Sequence, residues 1–167
     1  MYPYFKDKNQ NNPQNGIHMQ KQSATVQSTP QSDRKLTELV LMAIDDEIRD
    51  MNYYEELMGL TKDSGDREIL RGIALDETKH KKFLEEIYSV LTGEAPAQST
   101  PEKKELAPTF VENIENSILE EIAGSKFYRE LYLAIPSDDI RDMFLEIFTD
   151  EQNHASLLNY LYGKNNR

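Results

Sequence analysis

Asp76-Glu77-Thr78-Lys79-His80 and Asp150-Glu151-Gln152-Asn153-His154 carry the same Glu-x-x-His motif twice, each led by an aspartate. Glu77 and Glu151 lie 74 residues apart, as do His80 and His154. Another glutamate precedes each motif at equal distance, Glu47 before Glu77 and Glu121 before Glu151. Four carboxylates and two imidazoles repeated in register describe a site for two metal ions. Glutamate chelates one ion or bridges two, imidazole adds a borderline ligand, and four carboxylates neutralise two divalent cations. The three-residue spacing sets Glu77 beside His80, and Glu151 beside His154, on one face of a helix.

The repeat extends well beyond these six residues. Ile44 matches Ile118, Tyr54 matches Tyr128, Leu57 matches Leu131, Arg67 matches Arg141, Ile73 matches Ile147, Asp76 matches Asp150, and Leu84 matches Leu158, all without a gap. Two duplicated units packed about a pseudo-twofold axis follow from such a pattern. Leu36, Leu39, Val40, Ala43, Ile44, Met51, Tyr54 and Leu57 keep the three-and-four spacing of one buried helical face. The spacing predicts a first helix over 36–60 and a second over 66–91, with Asp66 as its cap and Thr92-Gly93 closing it. Pro96, Pro101 and Pro108 mark 94–109 as a long surface crossover. A third helix over 110–134 and a fourth over 139–162 follow, parted by Pro136 and Ser137. The expected fold is therefore all-α, a four-helix bundle of two antiparallel hairpins joined by a long crossover.

Counting along the helices brings the ligands level. Glu47 stands some 13 residues before the end of its helix and Glu77 about 11 after the start of the next, so both lie roughly 16–20 Å from the connecting turn. The second hairpin gives nearly the same count.

Composition narrows the partners. Lys and Arg total 19 against 30 Asp and Glu, a formal net charge of −11, which argues against nucleic acid and anionic lipid surfaces. Without cysteine the chain has no disulfide, thiolate nucleophile or iron–sulfur site, so electrons for redox chemistry must come from an external donor. No apolar run approaches the roughly 20 residues that span a bilayer, and no signal segment stands at the N-terminus; a cytoplasmic location is expected. Residues 1–34, rich in Gln, Asn, Ser and Pro, read as a disordered tail, and 35–163 as the bundle.

Other residues have blander readings. Tyr53, Tyr54 and Tyr128 suit a core as well as a place beside the ligands. Asp76 and Asp150 read as solvated or paired with Arg67 and Arg141, and His18 as part of the tail.

Ala43-Ile44-x-x-Glu47 with Tyr53-Tyr54, Glu77-x-x-His80, Glu121 with Phe127-Tyr128, and Glu151-x-x-His154 together resemble the rubrerythrin branch of the ferritin-like superfamily over about 36–162. The resemblance implies a non-haem site for two iron ions, ligated by Glu47, Glu77, His80, Glu121, Glu151 and His154, that reacts with hydrogen peroxide or dioxygen. A glutamate one turn beyond the third-helix ligand is usual in that family; here Gly124 stands there, and its symmetry mate is Asp50. Thr78 follows Glu77 where bacterioferritin-like proteins place a haem-ligating methionine, and only four residues follow Gly163, short of the fifth helix of cage-forming ferritins. Manganese suits the same ligands as iron. The expected protein is a peroxidase or ferroxidase acting as a homodimer; iron storage and a metal-stabilised interaction protein are the alternatives.

Overall fold

The computed structural model describes residues 30–135 and 137–166. Four helices account for most of them: α1 Pro30–Leu57, α2 Ser64–Thr92, α3 Phe110–Ala134 and α4 Asp138–Asn165, with a 3₁₀ turn Met58–Leu60 after α1 and no strand among the described residues. None of these helices is long and apolar enough to cross a membrane. Of the segment read as a tail, 1–29 lie outside the described residues, as does His18. Residues 30–34 belong to α1, which starts at Pro30 rather than near Leu36; proline is favoured at a first helical position because its missing N–H has no partner to lose there.

Local signals set the other boundaries. The cap of α2 is Asp63, not Asp66: its carboxylate accepts the backbone N–H groups of Gly65 and Asp66. Asp66 is instead fully buried in the first turn, where Lys164 Nζ (2.7 Å) and Asn165 Nδ2 (3.1 Å) from the end of α4 donate to it. Gly93 closes α2 at φ 78°, a conformation that costs glycine little. Thr109 and Glu112 form a reciprocal capping box at the start of α3. Residues 93–109 form the expected crossover without helix.

Packing is densest within the hairpins, α1 with α2 and α3 with α4. The core divides into two apolar clusters at opposite levels. One contains Val40, Leu84 and Ile87 with Tyr128, Leu131, Phe144 and Ile147; the other contains Ile114, Leu158 and Leu161 with Tyr54, Leu57, Leu70 and Ile73. A shift of 74 residues turns each set into the other, so the pseudo-twofold axis passes between them. The start of α1 and the end of α3 share one cluster, so these helices run antiparallel and the crossover travels the length of the bundle. Between the two apolar layers the same buried stripes carry Glu47, Glu77, His80, Glu121, Glu151 and His154.

Candidate metal centre

Each helix places its contribution by continuing its buried stripe. On α2 the buried positions run Leu70, Ile73, Ala74, Glu77, His80, Leu84, Ile87, and on α4 Phe144, Ile147, Glu151, His154, Leu158, Leu161, the i, i+3, i+4 recurrence of a core face. Glu47 on α1 and Glu121 on α3 interrupt their stripes at the same level. All six residues predicted from sequence are buried, none more than 6% exposed.

They meet as two overlapping groups. Glu47, Glu77, His80 and Glu151 each offer a ligand atom within 4.8 Å of the others, and Glu77, Glu121, Glu151 and His154 do the same. Glu77 and Glu151 belong to both. His80 Nδ1 lies 3.0 Å from Glu77 Oε2, 3.6 Å from Glu47 Oε2 and 3.4 Å from Glu151 Oε1. His154 Nδ1 lies 3.2 Å from Glu77 Oε1 and 3.4 Å from Glu121 Oε2. The two imidazole centres are 5.8 Å apart.

A second layer holds the first in place, and it too obeys the twofold. His80 Nε2 faces Asp150 Oδ2 at 3.2 Å, and His154 Nε2 faces Asp76 Oδ2 at 3.3 Å. A carboxylate accepting the Nε2 proton directs the Nδ1 lone pair inward, the usual way a metal-binding imidazole is oriented. The arginine partners expected for these aspartates are engaged elsewhere: Arg67 donates to the Lys62 carbonyl (3.3 Å) and Arg141 to the Tyr132 hydroxyl (3.1 Å). The hydroxyls of Tyr54 and Tyr128 donate across the bundle to Glu121 Oε1 and Glu47 Oε1, respectively. Burial, followed by the charge of those glutamates, raises both phenol pKa values well above 10, so both remain donors. Tyr53 turns away and donates to Asn113 Oδ1 at 3.0 Å.

The electrostatics call for cations. Burial and the Glu47 charge push the Glu77 carboxyl up to about 8, and burial raises Glu151 strongly. Burial works against ionised Glu47 too, but hydrogen bonds from His80, Glu77 and Tyr128 hold it below the usual carboxylate range. Burial disfavours both imidazolium ions, yet Asp150 and the glutamates outweigh it at His80, while Glu121 and Glu77 do so at His154, raising it to about 11. Four carboxylates this close cannot all ionise without compensating positive charge. Two buried atoms at the centre, Glu121 Oε2 and His154 Nδ1, have no hydrogen-bond partner. Buried polar atoms without partners are costly unless something else binds them, and a pair of divalent cations fits that demand.

A cavity of about 380 Å³ opens between α1 and α3 onto Glu47, Glu121 and Glu151. Asp50 stands on its wall, half-buried, and pairs with Lys104 at 3.0 Å rather than joining either ligand group. Burial, opposed by Lys104 and aided by the Glu47 and Glu121 charges, pushes its carboxyl up to about 6. Gly124 is fixed by contact: a Cβ there would stand 2.5 Å from Glu151 Oε2. The glycine thus makes room for the carboxylate common to both groups.

Sequence reasoning missed Asp76 and Asp150 as histidine partners. Their signal was available, an aspartate directly before the glutamate in both copies of the motif.

Comparison with known proteins bears on the fold and the family. A hypothetical protein from Pyrococcus furiosus has a similar solved structure, with a TM-score of 0.69 and 23% identity over 80% of this chain and 92% of that one, a likeness that shows the fold. No curated protein matches. The family model described as Rubrerythrin matches twice in succession, over residues 38–111 and 112–167, and the two matches meet where the 74-residue repeat divides the hairpins. With most of its length covered, this chain belongs to the rubrerythrin family.

Proposed function

We propose that the chain is a dinuclear iron protein that reduces hydrogen peroxide or dioxygen, its centre held by Glu47, Glu77, His80, Glu121, Glu151 and His154. The observation that carries this reading is the membership of Glu77 and Glu151 in both ligand groups. Glu47 with His80, and Glu121 with His154, would each serve one ion, while Glu77 and Glu151 would serve both. Iron is favoured over manganese because this is the rubrerythrin family.

When bound, two ferrous ions supply the two electrons that convert peroxide and two protons to two waters. The chain's own residues do the rest. Asp76 and Asp150 orient the imidazoles, and Tyr54 and Tyr128 hold the outer oxygens of Glu121 and Glu47. The apolar layers above and below exclude water, and the cavity between α1 and α3 leaves one side open to a small oxidant. With no cysteine in the chain, re-reduction falls to an external electron donor.

Anaerobic loading with ferrous iron, followed by rapid mixing with peroxide or dioxygen, tests the reaction. Faster growth of ferric absorbance with peroxide supports a peroxidase, and the reverse preference a ferroxidase. Bound ferrous iron inert to both would refute the redox reading.

A further inference from the structure

The cavity beside the centre is strongly acidic. Asp46, Glu47, Asp50, Glu120, Glu121 and Glu151 line it, against Arg49 and Lys104, and Arg49 is already paired with Asp46. A cleft lined by one sign of charge concentrates ions of the other sign and speeds their capture by about 10- to 1,000-fold. Left open, this cavity would draw any divalent cation toward Glu47 and Glu121.

Lys104 stands across that path. Every other lining residue lies on α1, α3 or α4; Lys104 alone among them comes from the crossover. Its Nζ donates to Asp50 Oδ1 on α1 at 3.0 Å and to Glu120 Oε2 on α3 at 2.5 Å, tying the two walls together. The same ammonium sits 4.0 Å from the centre of the Tyr53 ring, a favourable cation–π placement. The crossover is pinned close by: buried Asn113 accepts from Ala107 N (2.8 Å) and donates to the carbonyls of Ala107 (2.9 Å) and Thr109 (2.6 Å). Residues 93–109 have no helix of their own, so Lys104 can withdraw without unwinding an element.

We propose that Lys104 governs uptake of divalent cations by the centre: seated between Asp50 and Glu120 it closes the acidic cavity to them, and withdrawn it opens a carboxylate path to Glu47 and Glu121. Small neutral molecules such as peroxide feel no such repulsion. The inference rests on the dinuclear reading of the centre. A crossover lysine that only staples the fold would change stability when removed, but would not change how metal capture depends on charge and salt.

Cobalt(II) association with the metal-free full chain, followed by stopped-flow absorbance, separates these roles in wild type, Lys104→Gln and Lys104→Arg. At low ionic strength Lys104→Gln should take up cobalt about tenfold faster than wild type, an advantage that shrinks below about twofold near 0.5 M salt. Lys104→Arg, which keeps the charge, should load at about the wild-type rate, and all three should bind two cobalts per chain at equilibrium. Equal rates for Lys104→Gln and wild type, with two cobalts bound, would overturn the gating role alone, as would Lys104→Arg loading as fast as Lys104→Gln. Failure of all three proteins to bind cobalt would overturn the dinuclear reading and this inference with it.

Discussion

Gly124→Ala should stabilise the metal-free protein and weaken its hold on metal, two effects of opposite sign from one methyl group. The added Cβ would lie 2.5 Å from Glu151 Oε2, whereas ordinary contact begins at 3.4 Å. The carboxylate must therefore retreat by about 0.9 Å, several times the ~0.2 Å tolerance of a metal–ligand distance. Without metal the retreat is cheap, because the colliding atom is the tip of a flexible side chain, and alanine in a helix interior gains about 0.8–1 kcal/mol over glycine. For a chain of this size that corresponds to a rise in Tm of about 2–4 °C. With metal, the carboxylate common to both groups is displaced. Altered support of a ligand typically costs 10- to 100-fold in affinity, or about 1.4–2.7 kcal/mol. Thermal melting of the metal-free protein reads the first effect, and competition with a chromophoric chelator for cobalt or ferrous iron reads the second. Metal affinity within about twofold of wild type, beside a stabilised metal-free protein, would refute the role of Glu151 at both ions.

Asp150→Asn should lower metal affinity about 10- to 100-fold while stoichiometry stays at two, as measured by chelator competition, since it removes the carboxylate on His80 Nε2. Tyr54→Phe and Tyr128→Phe should weaken metal binding by similar amounts, because each deletes one of two symmetry-related bonds, to Glu121 and Glu47; markedly unequal effects in the same competition assay would argue against a symmetric centre. The metal-free protein should lose stability as pH rises. Glu77, with a folded pKa of about 8 against 4.5, contributes stability that is full below 4.5 and is lost as pH climbs through 8, and His154, raised from 6.5 to about 11, acts in the same direction. Asp150, held at about 2 by His80 against 3.8, acts oppositely and loses its contribution only as pH falls toward 2. Melting curves should thus peak between about pH 4 and 5 without metal and move to higher pH with it, because metal replaces the protons; a metal-free optimum above pH 7 would contradict this balance.

Much of the fold was legible because duplication made each feature appear twice. The helices, the crossover and the six residues that the structure buries together between the apolar layers were readable from the 74-residue register and the three-and-four spacing, which depend on neighbours along one helix. What escaped depends on contacts between helices. Asp66 stands three residues after the true cap, Asp63, and nothing local tells the two aspartates apart; its burial comes from Lys164 and Asn165, almost a hundred residues later. Asp76 and Asp150 stand one residue, about 100° of helix, off the ligand stripe, so their tie to the opposite histidine exists only once α2 and α4 are side by side. On α3 the polar residues Asn113, Ser117 and Ser125 are buried while Leu119 and Leu133 are exposed, the reverse of a simple apolar rule. Asn113 is buried because it anchors the crossover, and Gly124 is small because Glu151 needs its space. Lys104 lies in a segment without periodicity, where no spacing pattern could assign it a neighbour.

The proposed dinuclear centre is tested most directly by loading the protein anaerobically with isotopically enriched ferrous iron, oxidising it, and recording metal content together with the Mössbauer spectrum. Two irons per chain and a spin-coupled ferric pair are expected, with the coupling lost in Glu77→Ala and Glu151→Ala. One iron per chain, or two that show no coupling, would contradict the dinuclear reading.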